Sequence, residues 1–225
     1  MSDIISVAID GPAAAGKSTV AKAVAKILGF TYIDTGAMYR AFTWYVLHKG
    51  LDPKDEAISC SLIPEVSIEL KEDGTVMCNE FDVTKEIREP FVSSNVSYIA
   101  SYKDIRLALV DMQRAMALSK SVIMDGRDIG TYVLPDAQVK VYQIASVDAR
   151  AVRRFEENLS KGIPTTLADV MDDVRKRDYI DSHRDFAPLK PAKDAVFLDT
   201  SFLTIQESVD AVLKIIKDKT GVTAK

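Results

Sequence analysis

The chain has 225 residues, 47% of them hydrophobic and 28% charged, and carries a net charge of −4. That length builds one sizeable core with room for a small appendage. The acidic balance argues against general binding to nucleic acid or to membrane surfaces, so basic groups that cluster are expected to serve a small anionic ligand.

The first element is an apolar run, Ile4 to Ile9, which reads as a strand. An amphipathic helix, Thr19 to Leu28, follows after Gly11-Pro12-Ala13-Ala14-Ala15-Gly16-Lys17-Ser18. A strand, a glycine-bounded loop and a helix in that order form the setting of a phosphate-binding loop. Gly11 and Gly16 let the backbone turn tightly and approach an anion with no Cβ in the way. Successive backbone N–H groups and the positive helix end then face the phosphates. Lys17 can reach the outer phosphates, and the Ser18 hydroxyl can ligate Mg²⁺. An accidental strand-to-helix turn of this pattern arises in about one chain in a hundred. The loop therefore indicates a nucleoside triphosphate. It does not name an acceptor, nor separate an enzyme from a switch.

Phe30 to Ile33 reads as a second strand, and Asp34 to Arg40 opens a second helix with Thr35 as its expected N-cap. Tyr39, Phe42 and Val46 form its apolar stripe, which core packing explains. Arg40 lies near the helix start, where a cation opposes the dipole. Solvation and recognition of an anion are both open to it. Val66 to Leu70 alternates apolar and polar residues, Lys71 to Gly74 is turn chemistry, and Thr75 to Cys78 is again extended. Ile63 to Arg88 thus reads as a small β-rich insert, followed by helices near Pro90 to Ala100 and Asp104 to Lys120.

Ser121 to Met124 is an apolar strand ending in Asp125, the acidic position that helps hold Mg²⁺ beside a phosphate-binding loop. Gly126-Arg127-Asp128-Ile129-Gly130-Thr131 follows at the C-terminal end of that strand, where open α/β sheets bind ligands. A buried structural Arg–Asp pair is the alternative. Val139 to Ile144 is another buried strand. Ser146 caps a helix with Arg150, Arg153 and Arg154 at helical offsets on one face. A break at Lys161 to Pro164 leads to a second helix with Arg175 and Arg177, and Arg184 past its end. Interleaved acids will pair with some of these arginines. The remainder suit a lid over phosphates, through the planar guanidinium fork. Val196 to Leu198 is the last strand. A Thr204/Glu207 capping box opens a final helix that buries Val209, Val212, Leu213 and Ile216.

Cys60, Cys78, His48 and His183 show no metal or redox spacing. Free thiols and the absence of a signal peptide or 18-residue apolar span are the expectation, which suits the cytoplasm.

Five segments together resemble the bacterial cytidylate kinases, in the long form with an insert in the nucleoside-monophosphate domain. They are 11–19, Asp-Thr-Gly-Ala-Met-Tyr-Arg at 34–40, Asp-Val-Thr-Lys-Glu-Ile-Arg at 82–88, Asp-Gly-Arg-Asp-Ile-Gly-Thr at 125–131, and Arg-Asp with Ala-Pro-Leu at 184–189. The resemblance runs nearly end to end. It implies a P-loop-type parallel α/β sheet flanked by helices. The chain would divide into a core (1–62, 91–146, 185–225), a monophosphate-binding insert (63–90) and a helical lid (147–184). It implies phosphoryl transfer from ATP·Mg²⁺ to CMP or dCMP, and a monomer is the expectation. Carried over by motif position, Gly11, Pro12, Ala13, Ala14, Ala15, Gly16, Lys17, Ser18 and Thr19 would hold ATP. Ser18, with Asp125, would hold Mg²⁺. Thr35, Arg40, Arg127 and Arg184 would hold the acceptor phosphate, with Tyr39 beside them. Ser97, Arg106 and Asp128 would read cytosine, and Arg177 and Asp181 would meet the ribose. Lys17, Arg127, Arg153 and Arg184 would serve catalysis. Some members of that family have Ser at the position of Thr35, and both residues supply a hydroxyl. Another small-molecule P-loop kinase, such as a shikimate-kinase-like enzyme, and a GTP-dependent switch are the alternatives. The β-rich insert and the length oppose the first, and the lack of an Asn-Lys-x-Asp segment opposes the second.

Overall fold

The computed structural model describes residues 4–223. In chain order the elements begin with β1 (Ser6–Asp10), α1 (Lys17–Leu28), β2 (Thr31–Asp34), α2 (Thr35–His48) and α3 (Glu56–Ser61). Three short strands follow, β3 (Ile68–Leu70), β4 (Val76–Cys78) and β5 (Phe81–Asp82), and then α4 (Pro90–Ile99) and α5 (Lys103–Ala117). The last third holds β6 (Val122–Gly126), β7 (Val139–Ile144), α6 (Val147–Ser160), α7 (Leu167–His183), β8 (Val196–Asp199) and α8 (Ile205–Thr220). The five longer strands form one parallel sheet in the order β2-β6-β1-β7-β8.

A parallel sheet covered on both faces needs strands that are apolar throughout, which is why β1 and β6 read as continuous apolar runs. Their alternation still sorts the faces. Val7 and Ile9 pack with Ile123, Val139 and Val141 under α1 and α8. Ala8, Val122 and Met124 face the other way, against Val110 of α5. In this order β1 leads to β2 on one side of the sheet whereas β7 leads to β8 on the other, so the phosphate-binding loop leaves β1 beside a topological switch point, where such sheets bind ligands.

The expected hairpin is present and gains a third strand: β3, β4 and β5 make an antiparallel sheet. It buries Ile68, Val76 and Cys78 against Phe42 and Val46 of α2, in a cluster that also takes in α4 and α5. Phe42 is 2% exposed there, and truncating it to Ala should cost about 3–5 kcal/mol.

Three features differ from the sequence reading. The N-cap of α2 is Asp34, whose carboxylate accepts the Ala37 N–H at 2.7 Å, while the Thr35 hydroxyl donates instead to the Asp125 carbonyl. A cap needs an extended backbone, which Asp34 has at the end of β2. Arg150 does not share an open face with Arg153 and Arg154. It is 4% exposed and turned inward from α6. The segment after Asp128 forms a single π-helical turn, Ile129–Val133, which no periodicity announces because one turn is too short to have any. The domain limits placed at 1 and 225 lie outside the described residues.

Candidate active site

The loop after β1, the C-terminal ends of β2, β6 and β7, and helices α1, α2, α4, α5, α6, α7 and α8 enclose a cavity of ≈ 700 Å³. Nine cationic and seven acidic side chains line it, so an acidic protein encloses a net positive cavity.

One wall is the glycine loop. Gly16 is left-handed at φ 85°, and α1 starts directly after it, so the helix's free N–H groups open towards the cavity. Gly11 has φ 153°, and a Cβ there would lie 1.9 Å from the Gln143 carbonyl oxygen, so only glycine lets the loop cross β7 this closely. Ala14 to Thr19 line the cavity; Gly11, Pro12 and Ala13 lie behind them and shape the loop. Lys17 is 4% exposed and donates to the Pro12 carbonyl at 2.8 Å. Burial, with Arg127 nearby, lowers its ammonium to about 7 against the opposing pull of Asp125 and Asp10. An anion entering beside Lys17 would restore its charge.

Beside the loop, Ser18 Oγ donates to Asp125 Oδ2 at 2.8 Å and the Tyr32 hydroxyl donates to Oδ1 at 2.8 Å. Burial and the neighbouring Asp34 raise the Asp125 carboxyl above its ordinary range. Buried negative charge among oxygen donors suits a hard divalent cation.

The opposite wall is built on a buried Arg–Asp network. Arg106 Nη2 donates to Asp128 Oδ2 at 2.5 Å, and Arg184 Nη2 donates to Oδ1 at 3.3 Å. Both arginines also reach the Ala100 carbonyl, and Arg184 Nε donates to the Ala187 carbonyl at 2.8 Å. Ala187 adopts φ 47° to present that oxygen, a strained conformation for a residue with a Cβ. The Arg106 guanidinium lies 5.2 Å from the centre of the Tyr39 ring. The Tyr39 hydroxyl and Arg106 Nε have no protein partner among the described residues. Ser97 is buried on the same wall.

Between the walls, Arg127 Nε donates to Asp181 Oδ2 at 2.8 Å. Burial works to raise Asp181, but Arg127, Arg184 and Arg177 together hold its carboxyl below the usual range. Arg177 is lowered by burial and by Arg127, and its Nε has no partner among the described residues. Arg40 shares Asp34 with Arg88, at 3.1 and 3.0 Å. Thr35 lines the cavity next to them.

The helices α6 and α7 form the roof. Arg153 lines it and donates to the Thr200 carbonyl at 2.5 Å. Arg154 pairs with Glu157, and Arg175 faces outward beside Asp172. Arg150 is a staple instead, donating to the Ala13 carbonyl and pairing with Asp178.

The residues expected to form the site are thus brought together, from Lys17 to Arg184. Sequence reasoning missed Asp10, Asp34, Arg88 and Gln143. Asp10 follows the apolar run of β1 as Asp125 follows that of β6, so the signal that picked out one was available for the other. It is 4% exposed and accepts the Ile129 and Gly130 N–H groups at 2.8 Å each. Burial raises its carboxyl to about 7, opposed by those two hydrogen bonds. Arg88 and Asp34 meet across 54 positions of sequence, which no local pattern reveals. Gln143 donates to the Ala15 carbonyl from beneath the loop.

Among the described residues no three His, Cys, Asp or Glu side chains are grouped as a metal site, and none of the described helices is long and apolar enough to cross a membrane.

A crystal structure of a gluconokinase from Sinorhizobium meliloti is similar in fold, at TM-score 0.52 and 12% identity, over 96% of this chain and 94% of that one. Sequence similarity is far stronger. A cytidylate kinase from Oceanobacillus iheyensis is 51% identical over 219 residues, covering 96% of this chain and 95% of the relative. One from Lactobacillus johnsonii is also 51% identical, with the same coverage. Residues 7–218 match the family described as cytidylate kinase. The chain belongs to the cytidylate kinase family.

Proposed function

We infer that this chain transfers the γ-phosphoryl group of ATP to CMP or dCMP, giving ADP and CDP or dCDP. The observation that carries this is a single cavity with a phosphate-binding loop on one wall and the Arg106–Asp128 pair buried on the other.

On this reading the loop from Gly11 to Thr19 holds the donor triphosphate, with Lys17 on its outer phosphates. Thr35, Arg40, Arg127 and Arg184 hold the acceptor phosphate. Ser97, Arg106 and Asp128 meet the cytosine edge, with Tyr39 packed against Arg106. Arg177 and Asp181 meet the ribose. An Asp carboxylate accepts from the cytosine 4-amino group and repels the oxygen that uracil has there. One P–O bond breaks, to the ADP leaving group, and one forms, to an acceptor phosphate oxygen. That transfer asks for in-line placement and cations on the migrating charge, which Lys17, Arg127, Arg153 and Arg184 supply, and no protein nucleophile is needed.

Ser18 and Asp125 are the residues that would hold Mg²⁺, and their partly buried oxygen pair at the cavity fits it. When bound, the ion neutralises charge on the donor phosphates.

The domain reading assigns α6 and α7 to the lid, residues 63–90 to the monophosphate-binding insert, and the five-stranded sheet to the core. Both walls come from one chain, which suits a monomer, and the free thiols of Cys60 and Cys78 suit the cytoplasm.

The test is ADP release with CMP, dCMP, UMP, AMP, GMP and shikimate as acceptors. CMP and dCMP should lead. A preference for AMP or GMP would end this reading, shikimate turnover would favour another small-molecule kinase, and tight GTP binding with no turnover would favour a switch.

A further inference from the structure

We propose that Asp10 is a positioning residue that caps the turn after Asp128 and thereby frees the Asp128 carboxylate to select the acceptor base. The proposal rests on the acceptor-site reading above.

The first N–H groups of a helical turn have no partner within the turn, and the side chain of the residue at its start ordinarily meets the second or third of them. Here that residue is Asp128, a good capping type. Its carboxylate makes no capping bond. Both of its oxygens go to arginines, Arg106 and Arg184, on the cavity wall. The orphaned Ile129 and Gly130 N–H groups are taken by a different aspartate, from a different strand and about 120 positions away. Asp10 accepts one with each oxygen, at 2.8 Å, so its capacity matches the need.

The surroundings leave no easy substitute. Asp10 lies at the end of the central strand, register-paired with Gly126, which directly precedes Arg127. A Cβ on Gly126 would lie 2.6 Å from Ile129 Cδ1, so the turn packs tightly over Gly126, the register partner of Asp10. A Cβ on Gly130 would lie 3.1 Å from the Lys140 stem and 3.4 Å from Asp10 Oδ2. The residue after Asp10 is Gly11, which opens the glycine loop. Asp10 therefore ties the acceptor-reading turn to the strand that carries the donor loop. The two nucleotides are held in register by one carboxylate that touches neither.

Without this arrangement, Asp128 has two competing tasks. Either it caps its own turn and abandons Arg106, or it holds Arg106 and leaves two buried N–H groups unpaired, a costly outcome. Two aspartates divide the work.

The experiment compares wild type with Asp10→Asn. An amide presents one oxygen and one NH₂ group to two N–H donors, so one bond is replaced by a donor–donor contact. Steady-state kinetics with CMP and UMP at saturating ATP, and KM for ATP, are measured for both proteins. The expected result is a CMP-to-UMP ratio of kcat/KM compressed about 10-fold or more, with KM for ATP within about threefold of wild type. Equal losses for CMP and UMP would make Asp10 merely structural and overturn the proposal. Should the variant not fold, hydrogen exchange in the wild-type protein decides. Slow exchange at the Ile129 and Gly130 amides supports the cap, and exchange at loop rates overturns it. A wild type that fails to prefer CMP would sink the acceptor-site reading instead, while the exchange measurement still tests whether Asp10 holds the turn.

Discussion

Arg150, near the start of the first roof helix, donates to the carbonyl of Ala13 in the glycine loop at 3.0 Å, across 137 positions of sequence. Asp178 of the second roof helix closes the link, pairing with Arg150 at 2.6 Å and accepting the Ala13 N–H at 3.2 Å. The loop and the base of the roof are therefore one hydrogen-bonded unit. Arg150→Ala should destabilise by about 3 kcal/mol, the low end for a broken buried pair, because Asp178 can still reach water. For a chain of this size that is a drop in Tm of roughly 6–12 °C. Arg154→Ala, which removes an exposed pair three residues apart, should change stability by less than about 0.5 kcal/mol. Thermal unfolding of the two variants checks the contrast, and equal losses would refute it.

Lys17 gives a pH signature. Its ammonium falls from 10.5 to about 7 on folding. Between those values the unfolded chain binds a proton there that the folded chain does not, so this group makes stability rise with pH from about 7 towards 10.5. Lys17→Met should flatten that rise in the ligand-free protein. ATP binding near pH 8 should draw in a proton as the phosphates recharge Lys17. Calorimetry in two buffers of different ionisation enthalpy reads that uptake, and Lys17→Met should abolish it along with nearly all turnover. Wild-type turnover in that variant would remove Lys17 from the chemistry.

Asp128→Asn keeps the volume of the side chain but puts an amide beside Arg106 and Arg184. Discrimination between CMP and UMP should shrink by about 1–3 kcal/mol, or roughly 5- to 150-fold, while ATP affinity changes little. An equal loss for both nucleotides would give Asp128 a structural role only.

Gly126→Ala places a methyl 2.6 Å from Ile129 Cδ1 and 2.8 Å from the Thr35 hydroxyl. Overpacking of that kind costs about 1–3 kcal/mol. Because Thr35 and Arg127 flank the strain, KM for CMP should rise more than KM for ATP. Stability and kinetics unchanged from wild type would show that the turn yields freely.

Much of this was legible in the sequence because it is periodic or local. The glycine loop lies within eight positions, and the apolar runs of β1 and β6 are what a doubly covered parallel strand requires. What escaped was long-range pairing. Nothing near Arg40 announces that Asp34 both caps its helix and holds two arginines, nor that Arg150 turns inward while Arg153 meets the cavity. Arg154 and Arg175 were equally ambiguous, since their acidic partners lie only three residues away on the same helix. Asp10 could be picked out as an acid closing an apolar run, but its partners could not, since they lie about 120 positions along the chain.

The strand order has a further consequence, for biosynthesis. Ser6 pairs with Val122 and Val7 with Val139, so the central strand has no neighbour until more than half of the polypeptide has been made. At ~5–20 residues per second, the nascent glycine loop waits roughly 6–25 s on the ribosome before its sheet can close. For that interval an exposed apolar N-terminal segment is the part of the molecule most open to chaperones and to aggregation.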